Sequence, residues 1–260
     1  LLCWGSNYYP PRTGNEWETA EKGVHGRFGA ALESGLDNSP MYDHIPFDKQ
    51  RNMLFLQDVG LTSLYIADCD SLAEIANIIG RKKEKAELKN RADLYRYKCQ
   101  KLWSDKHGIF LNRRTDTGEF STSISPTNFY PLLAKVPSKV QAERMMNDYF
   151  RNPAKFAGDW ILPSIPRDDP AYKDQDYWRG RIWAPMNYLV YLGMLNYNLS
   201  NDRKVLAEKS KNLILKEWLP KKHVHENYCA DTGQGCNKNN SDCFYHWGGL
   251  LGLIAMSELI

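Results

Sequence analysis

Long uniform runs are what this 260-residue sequence lacks. It has no stretch of five or more Lys or Arg, and the densest basic segment, Arg81-Lys82-Lys83-Glu84-Lys85, is broken by an acid. Net charge is only +3, so the sustained positive surface that a phosphate backbone demands is missing and no nucleic-acid partner is expected. No apolar run approaches the ~20 residues that cross a bilayer, so no membrane span is expected either. The N-terminal Leu1-Leu2-Cys3-Trp4-Gly5 has no initiator Met and no basic start before an apolar stretch. It does not read as a signal peptide, and the expectation is a processed chain or a fragment. Compartment and oligomeric state are left open by these features.

Paired CxxC spacing is absent too. Cys229, Cys236 and Cys243 are evenly spaced in a loop rich in Asn, Asp and Gly, which departs from the usual zinc pattern. A disulfide using two of these three is one reading, and Cys69 and Cys99 read as buried free thiols in helices. Asp68 and Asp70, two apart on a helix, point to different sides, so no metal site and no cofactor is expected. Asn198-Leu199-Ser200 and Asn239-Asn240-Ser241 fit the glycosylation pattern, which also arises by chance.

What is present is ordinary globular composition, 42% hydrophobic and 25% charged, in a chain long enough for one domain spanning 1–260. Residues 1–47 are rich in Gly, Pro, Asn and aromatics, with little helical periodicity, and suit site-bearing loops. Leu64, Leu72, Ile75 and Ile79 recur at helical spacing and predict a helix over 63–79 that stops at Gly80. A charged helix is predicted over 82–103, with Leu88, Ala92, Tyr95, Cys99 and Leu102 as its apolar stripe. Residues 107–122 read as a small hairpin or an extended excursion, turning at Asp116-Thr117-Gly118. A helix capped by Ser138 follows to Phe150, then a proline-punctuated loop over 151–177. A buried helix over 178–197, an amphipathic Lys-rich helix over 202–218 and a last apolar helix over 246–260 complete the pattern. Short connections make neighbours pair antiparallel, and no repeat of about 20–50 residues marks a solenoid. The expectation is an all-α chain of helical hairpins with long loops between pairs.

Three segments carry chemistry. The first is Glu33-Ser34-Gly35-Leu36-Asp37-Asn38-Ser39-Pro40, followed by Asp43. On spacing alone it reads as a polar turn, although it also sets a carboxylate on a constrained backbone. The second, Tyr177-Trp178-Arg179-Gly180-Arg181-Ile182-Trp183, combines flat rings with guanidinium donors, a pairing that suits the apolar faces and hydroxyls of sugars. Burial of Trp183 in the core is the competing reading. The third is His225-Glu226-Asn227-Tyr228, with Phe244-Tyr245-His246-Trp247-Gly248-Gly249 downstream. There Glu226 is either a site carboxylate or a plain loop acid. Taken together, two isolated carboxylates bracketed by aromatics and glycines are the inventory of glycoside hydrolysis, one acid for the leaving oxygen and one base for water.

These segments, with Asp159-Trp-Ile-Leu-Pro-Ser-Ile165 and Pro185-Met-Asn-Tyr-Leu-Val-Tyr191, resemble glycoside hydrolase family 63, closest to its mannosylglycerate hydrolase-like members. The Glu-Ser-Gly-x-Asp signature is similar, more distantly, to trehalases. The resemblance covers roughly residues 24–260. It implies an (α/α)6 toroid, shorn of its N-terminal helices at this length, and inverting, exo-acting hydrolysis of an α-linked glucoside or mannoside. It implies Asp37 as general acid and Glu226 as general base, about 6.5–9.5 Å apart. Tyr177, Trp178, Arg179, Gly180, Trp183, His246 and Trp247 would contact the carbohydrate, the one partner expected. The alternative is a carbohydrate-binding fragment or pseudoenzyme that keeps the aromatic floor without turnover.

Overall fold

The computed structural model describes residues 1–6, 26–238 and 241–259. Much of the 1–47 segment, and Asn239 of the second glycosylation triplet, lie outside the described residues.

Helices dominate, as expected, and the core lies where they pack in pairs. Helix α1 (Arg27–Glu33) falls in the segment expected to be loop; its seven residues are too few for periodicity to register. Helix α2 (Val59–Ile78) starts four residues before the apolar pattern does. Its start is set by capping, since the Asp58 carboxylate accepts the Leu61 N–H at 2.8 Å. Helix α3 (Lys82–Cys99) continues as a 3-10 turn to Leu102 and packs on α2. Its stripe is as expected, with Ala92, Cys99 and Leu102 buried.

The stripe of α2 is not. Its inward face is made of small and β-branched residues, including Thr62, Ser63, Ile66, Cys69, Ala73 and Ala76, while Leu72, Ile75 and Ile79 are exposed. Small side chains let α3 approach closely, so the buried face of this helix is not its most hydrophobic one.

Short β pairs link the helices. Strand β1 (Phe47–Asp48) pairs antiparallel with β2 (Met53–Leu54), β3 (Leu56–Gln57) with β6 (Arg113–Arg114), and β4 (Trp103–Ser104) with β5 (Ile109–Phe110). The excursion over 107–122 joins two of these ladders and also folds back on itself as expected: Arg113 bridges Phe120, and the Arg114 and Ser121 N–H groups donate to the Glu119 and Asn112 carbonyls, both at 2.8 Å. Its predicted turn is present, with the Gly118 N–H donating to the Arg114 carbonyl at 3.1 Å.

Helix α4 (Lys139–Met145) opens with Ser138 and Gln141 in a reciprocal capping box and runs on as a π-turn to Phe150. Helix α5 (Ala184–Met194) is buried along most of its length, and begins six residues later than its apolar pattern. Pro185 fits its first turn, whereas positive φ at Tyr177 (52°) and Gly180 (101°) bars helix before it. Helix α6 (Ser200–Lys221) is the amphipathic outer partner, burying Asp202, Leu206, Ser210, Leu213 and Glu217 at steps of three and four. Arg151 neutralises Asp202 through two parallel bonds at 2.8 and 2.6 Å. A 3-10 turn (His246–Gly249) leads into α7 (Leu250–Leu259), which packs on α5 and α6. Cys69 and Cys99 are buried free thiols, as expected.

Candidate active site

The loop before α5 is shaped by a tight turn. Asp176 and Arg179 exchange backbone hydrogen bonds at 3.1 and 2.8 Å, leaving Tyr177 and Trp178 at the tip. Tyr177 occupies the left-handed region at φ 52°, which a bulky side chain enters at a cost and keeps only when its surroundings hold it there. Trp178 stacks on Trp183 with ring centroids 3.6 Å apart and planes 10° from parallel, and Tyr177 meets Trp183 edge-on at 4.8 Å. The Trp183 indole N–H closes the turn by donating to the Tyr177 carbonyl at 2.9 Å.

The Glu226 segment is fixed by backbone pairing on both sides. Ile182 and Tyr228 exchange hydrogen bonds at 2.8 and 3.0 Å, and the Glu226 N–H donates to the Asp242 carbonyl at 2.9 Å. These contacts bury Glu226 and aim its carboxylate at the turn. Tyr177 donates its hydroxyl to Oε1 at 2.9 Å, and the Asp242 N–H donates to Oε2 at 3.2 Å. Trp247, half-buried, anchors the Glu226 carbonyl through its indole N–H at 2.9 Å and meets the edge of Trp183 at 5.7 Å. Tyr245 lies against Trp247 at 4.3 Å.

The Asp37 loop is bound to the same turn. Asn38 accepts the Trp178 N–H at 2.9 Å, and its amide donates to Asp176 at 3.3 Å. Arg179 donates to the Asn38 carbonyl at 3.3 Å and to Asp43 and Asp174 at 2.9 and 2.8 Å. Leu36 packs on the Trp178–Trp183–Met186 cluster. Asp37 is half-buried beside these residues. Burial, the hydrogen bond to Glu226 and the negative charges of Glu226 and Asp37 all push the Tyr177 hydroxyl up, so it stays protonated and acts as a donor.

The segments 33–43, 177–183, 225–228 and 242–247 are thus joined around Tyr177. Their members play different parts. Trp183 has no exposed surface, and its ring underpins Trp178, itself only 5% exposed. Arg179 is occupied by two carboxylates and a carbonyl, so it ties loops together. Gly180 is structural: a Cβ there would come within 2.6 Å of the Tyr172 carbonyl oxygen. His246 is exposed, stacked on Tyr245 at 5.5 Å. Asp37, Tyr177, Tyr245, His246 and Trp247 each keep some exposed surface.

Sequence reasoning did not single out Asn38, Asp242 or Tyr245, which contact the Trp178 N–H, the Glu226 carboxylate and Trp247, although Asn38 and Tyr245 lie inside quoted motifs. It also dismissed metal on cysteine spacing, whereas folding brings His223, His225 and Cys243 together as possible ligands.

Comparison with known proteins places the chain among glycoside hydrolases. The model of the mannosylglycerate hydrolase MGH1-like glycoside hydrolase domain matches residues 13–247. A mannosylglycerate hydrolase of Rubrobacter radiotolerans is 24% identical over 221 residues, covering 84% of this chain and 46% of that protein. Mannosylglycerate hydrolase MGH1 of Selaginella moellendorffii is 23% identical over 172 residues, 64% of this chain and 33% of its own. The chain therefore spans a third to a half of the length of these relatives. Among solved structures, the family 63 mannosylglycerate hydrolase of Thermus thermophilus in complex with glucose superposes with a TM-score of 0.73 at 21% identity, covering 87% of this chain and 61% of that one. A neutral trehalase of Saccharomyces cerevisiae superposes with a TM-score of 0.69 at 19% identity, covering 95% and 44%. The fold is that of these helical-hairpin toroid glycosidases.

Proposed function

The chain belongs to the mannosylglycerate hydrolase MGH1-like glycoside hydrolases of family 63, and on that premise we propose that it hydrolyses a terminal α-linked mannoside or glucoside with inversion. An α-mannoside of glycerate is the first substrate to test, because relatives of both kinds above carry that activity in their names. In this reading Asp37 serves as general acid, passing a proton to the glycosidic oxygen as the bond to the anomeric carbon breaks. Glu226, as general base, takes a proton from a water that attacks the opposite face of that carbon. The products are the free sugar of inverted anomeric configuration and the alcohol aglycone.

The observation that carries the reading is Tyr177. Its hydroxyl bonds the Glu226 carboxylate at 2.9 Å while it sits in the field of Asp37. A carboxylate bonded to a half-buried phenol that also feels a second carboxylate, beside aromatic rings, supports a paired acid and base at one site.

The test is proton NMR of the first product formed from α-mannosylglycerate and from α-glucosides. Initial release of the β-anomer supports the proposal, and initial release of the α-anomer overturns inversion. A second reading is sugar binding without turnover, on the aromatic rings grouped around Trp183. Calorimetric sugar binding with no product over the same panel would select it.

A further inference from the structure

Behind Glu226, away from Tyr177, lies a second cluster that the hydrolytic reading does not use. His225 is fully buried, with Nδ1 2.8 Å from Cys236 Sγ, and Cys236 Sγ is 2.7 Å from Cys243 Sγ. Ligand atoms of His223, His225 and Cys243 all lie within 4.8 Å of one another. The other ring nitrogen of His225, Nε2, is 3.0 Å from Glu217 Oε2 but makes no well-aligned hydrogen bond. Glu217 is held in place by Lys221 Nζ at 2.6 Å and the Gly235 N–H at 3.1 Å.

Local backbone features build the cluster. His225 and Cys243 face each other across a β-bridge, which explains why cysteine spacing along the sequence gave no metal signal. Gly235 leaves room for the imidazole, since a Cβ there would fall 2.1 Å from its Cγ. Cys236 takes a left-handed backbone at φ 53° and is pinned by its N–H to Ser241 Oγ at 3.2 Å. These constraints turn its thiol toward the histidine.

We propose that His223, His225, Cys236 and Cys243 form a tetrahedral site for a zinc ion that clamps the loop carrying Glu226. Two imidazoles and two thiolates are a preferred zinc donor set, and the two thiolate charges cancel that of the ion. Zn–S and Zn–N bonds of about 2.3 and 2.0–2.1 Å place ligand atoms roughly 3.4–3.8 Å apart, so the two short sulfur contacts open by about an ångström as the ion enters. Each thiol gives up its proton to solvent on binding. Glu217 then takes the place of the carboxylate that orients a ligating histidine, with Nδ1 on the metal and Nε2–H toward the carboxylate. A Cys236–Cys243 disulfide is the competing fate of the same thiols, but it gives no role to His223, His225 or Glu217.

The experiment uses the full chain, freed of metal and kept under a phosphine reductant, titrated with cobalt(II) chloride and then with zinc chloride. One cobalt per chain, with thiolate charge-transfer and tetrahedral visible bands that zinc abolishes, is the expected result. Cys243→Ser and His223→Ala, which alter residues that are not buried, should weaken zinc binding at least ~100-fold, and Glu217→Gln about 10–100-fold, each with an unchanged circular dichroism spectrum. Absence of the tetrahedral bands overturns the site. So does zinc affinity indifferent to Cys243→Ser and His223→Ala, or peptide mapping that finds a Cys236–Cys243 disulfide in the chain as isolated.

Discussion

Tyr177 reaches Glu226 Oε1 across 2.9 Å from a backbone φ of 52°, a conformation its own side chain disfavours. The turn holds this strain because Trp183 closes it from below and Asn38 from the side. Tyr177→Phe keeps the ring and removes the donor. A hydrogen bond to a charged group is worth about 1.5–3 kcal/mol, so kcat should fall about 10–100-fold with the fold intact. Steady-state kinetics beside circular dichroism check this, and an unaltered kcat would detach the phenol from the reaction.

Asp37→Asn and Glu226→Gln preserve shape while removing proton transfer. Each should lower kcat by ~10²–10⁴-fold, the usual worth of a positioned acid or base. Retained turnover in either purified variant would take that residue out of the mechanism.

Asn38→Ala tests positioning. Asn38 bonds the Trp178 N–H and the Asp176 backbone and carboxylate, so it holds the neighbouring Asp37 against the turn without needing to touch a sugar. A displacement of about 1 Å at a reacting group can cost on the order of 10²-fold in rate. The expected signature is a drop in kcat with KM little changed; a rise in KM alone would mean that Asn38 contacts substrate instead.

The helical class of the fold was legible in the sequence, and the three segments it singled out meet around Tyr177, but the contacts that join them were not foreseen. Asp37, Glu226 and the aromatic segments stood out as candidates because their residue types are distinctive in loops. Asn38 and Asp242 were not, since an amide side chain or a backbone N–H acquires its role only from a partner far along the chain: Trp178 for the first and Glu226 for the second. The same holds for α2, where periodicity followed Leu72, Ile75 and Ile79 although packing with α3 selected the small residues. It holds again before α5, where hydrophobicity extends through Trp178 but backbone conformation stops the helix at Ala184.

Asp58 gives a prediction in pH. Burial raises its carboxyl above the ordinary value, against the lowering effect of hydrogen bonds from the Leu61 N–H and the Tyr42 hydroxyl. The folded chain thus holds the Asp58 proton more tightly than the unfolded chain does. The contribution to stability is most favourable below the unfolded pKa of about 3.9 and is lost as pH rises through the folded value. Asp58→Asn keeps the capping oxygen without the charge, so the variant should gain stability relative to the parent chain between pH 4 and pH 7. Urea denaturation of both proteins at the two pH values checks the sign, and a difference constant with pH would refute it.

Trp183 and Trp247 touch each other, yet one is sealed in the core and the other is half-exposed. Removing the buried ring opens a cavity beneath Trp178 and frees the Tyr177 carbonyl, so Trp183→Ala should cost about 3–5 kcal/mol in stability. Trp247→Phe retains an aromatic face but loses the indole bond to the Glu226 carbonyl. It should leave denaturation within about 1 kcal/mol of the parent, the net worth of one neutral hydrogen bond, while lowering kcat as Glu226 loosens. If Trp183→Ala were instead neutral in stability and raised KM alone, the indole now placed under the site would have to contact the sugar itself.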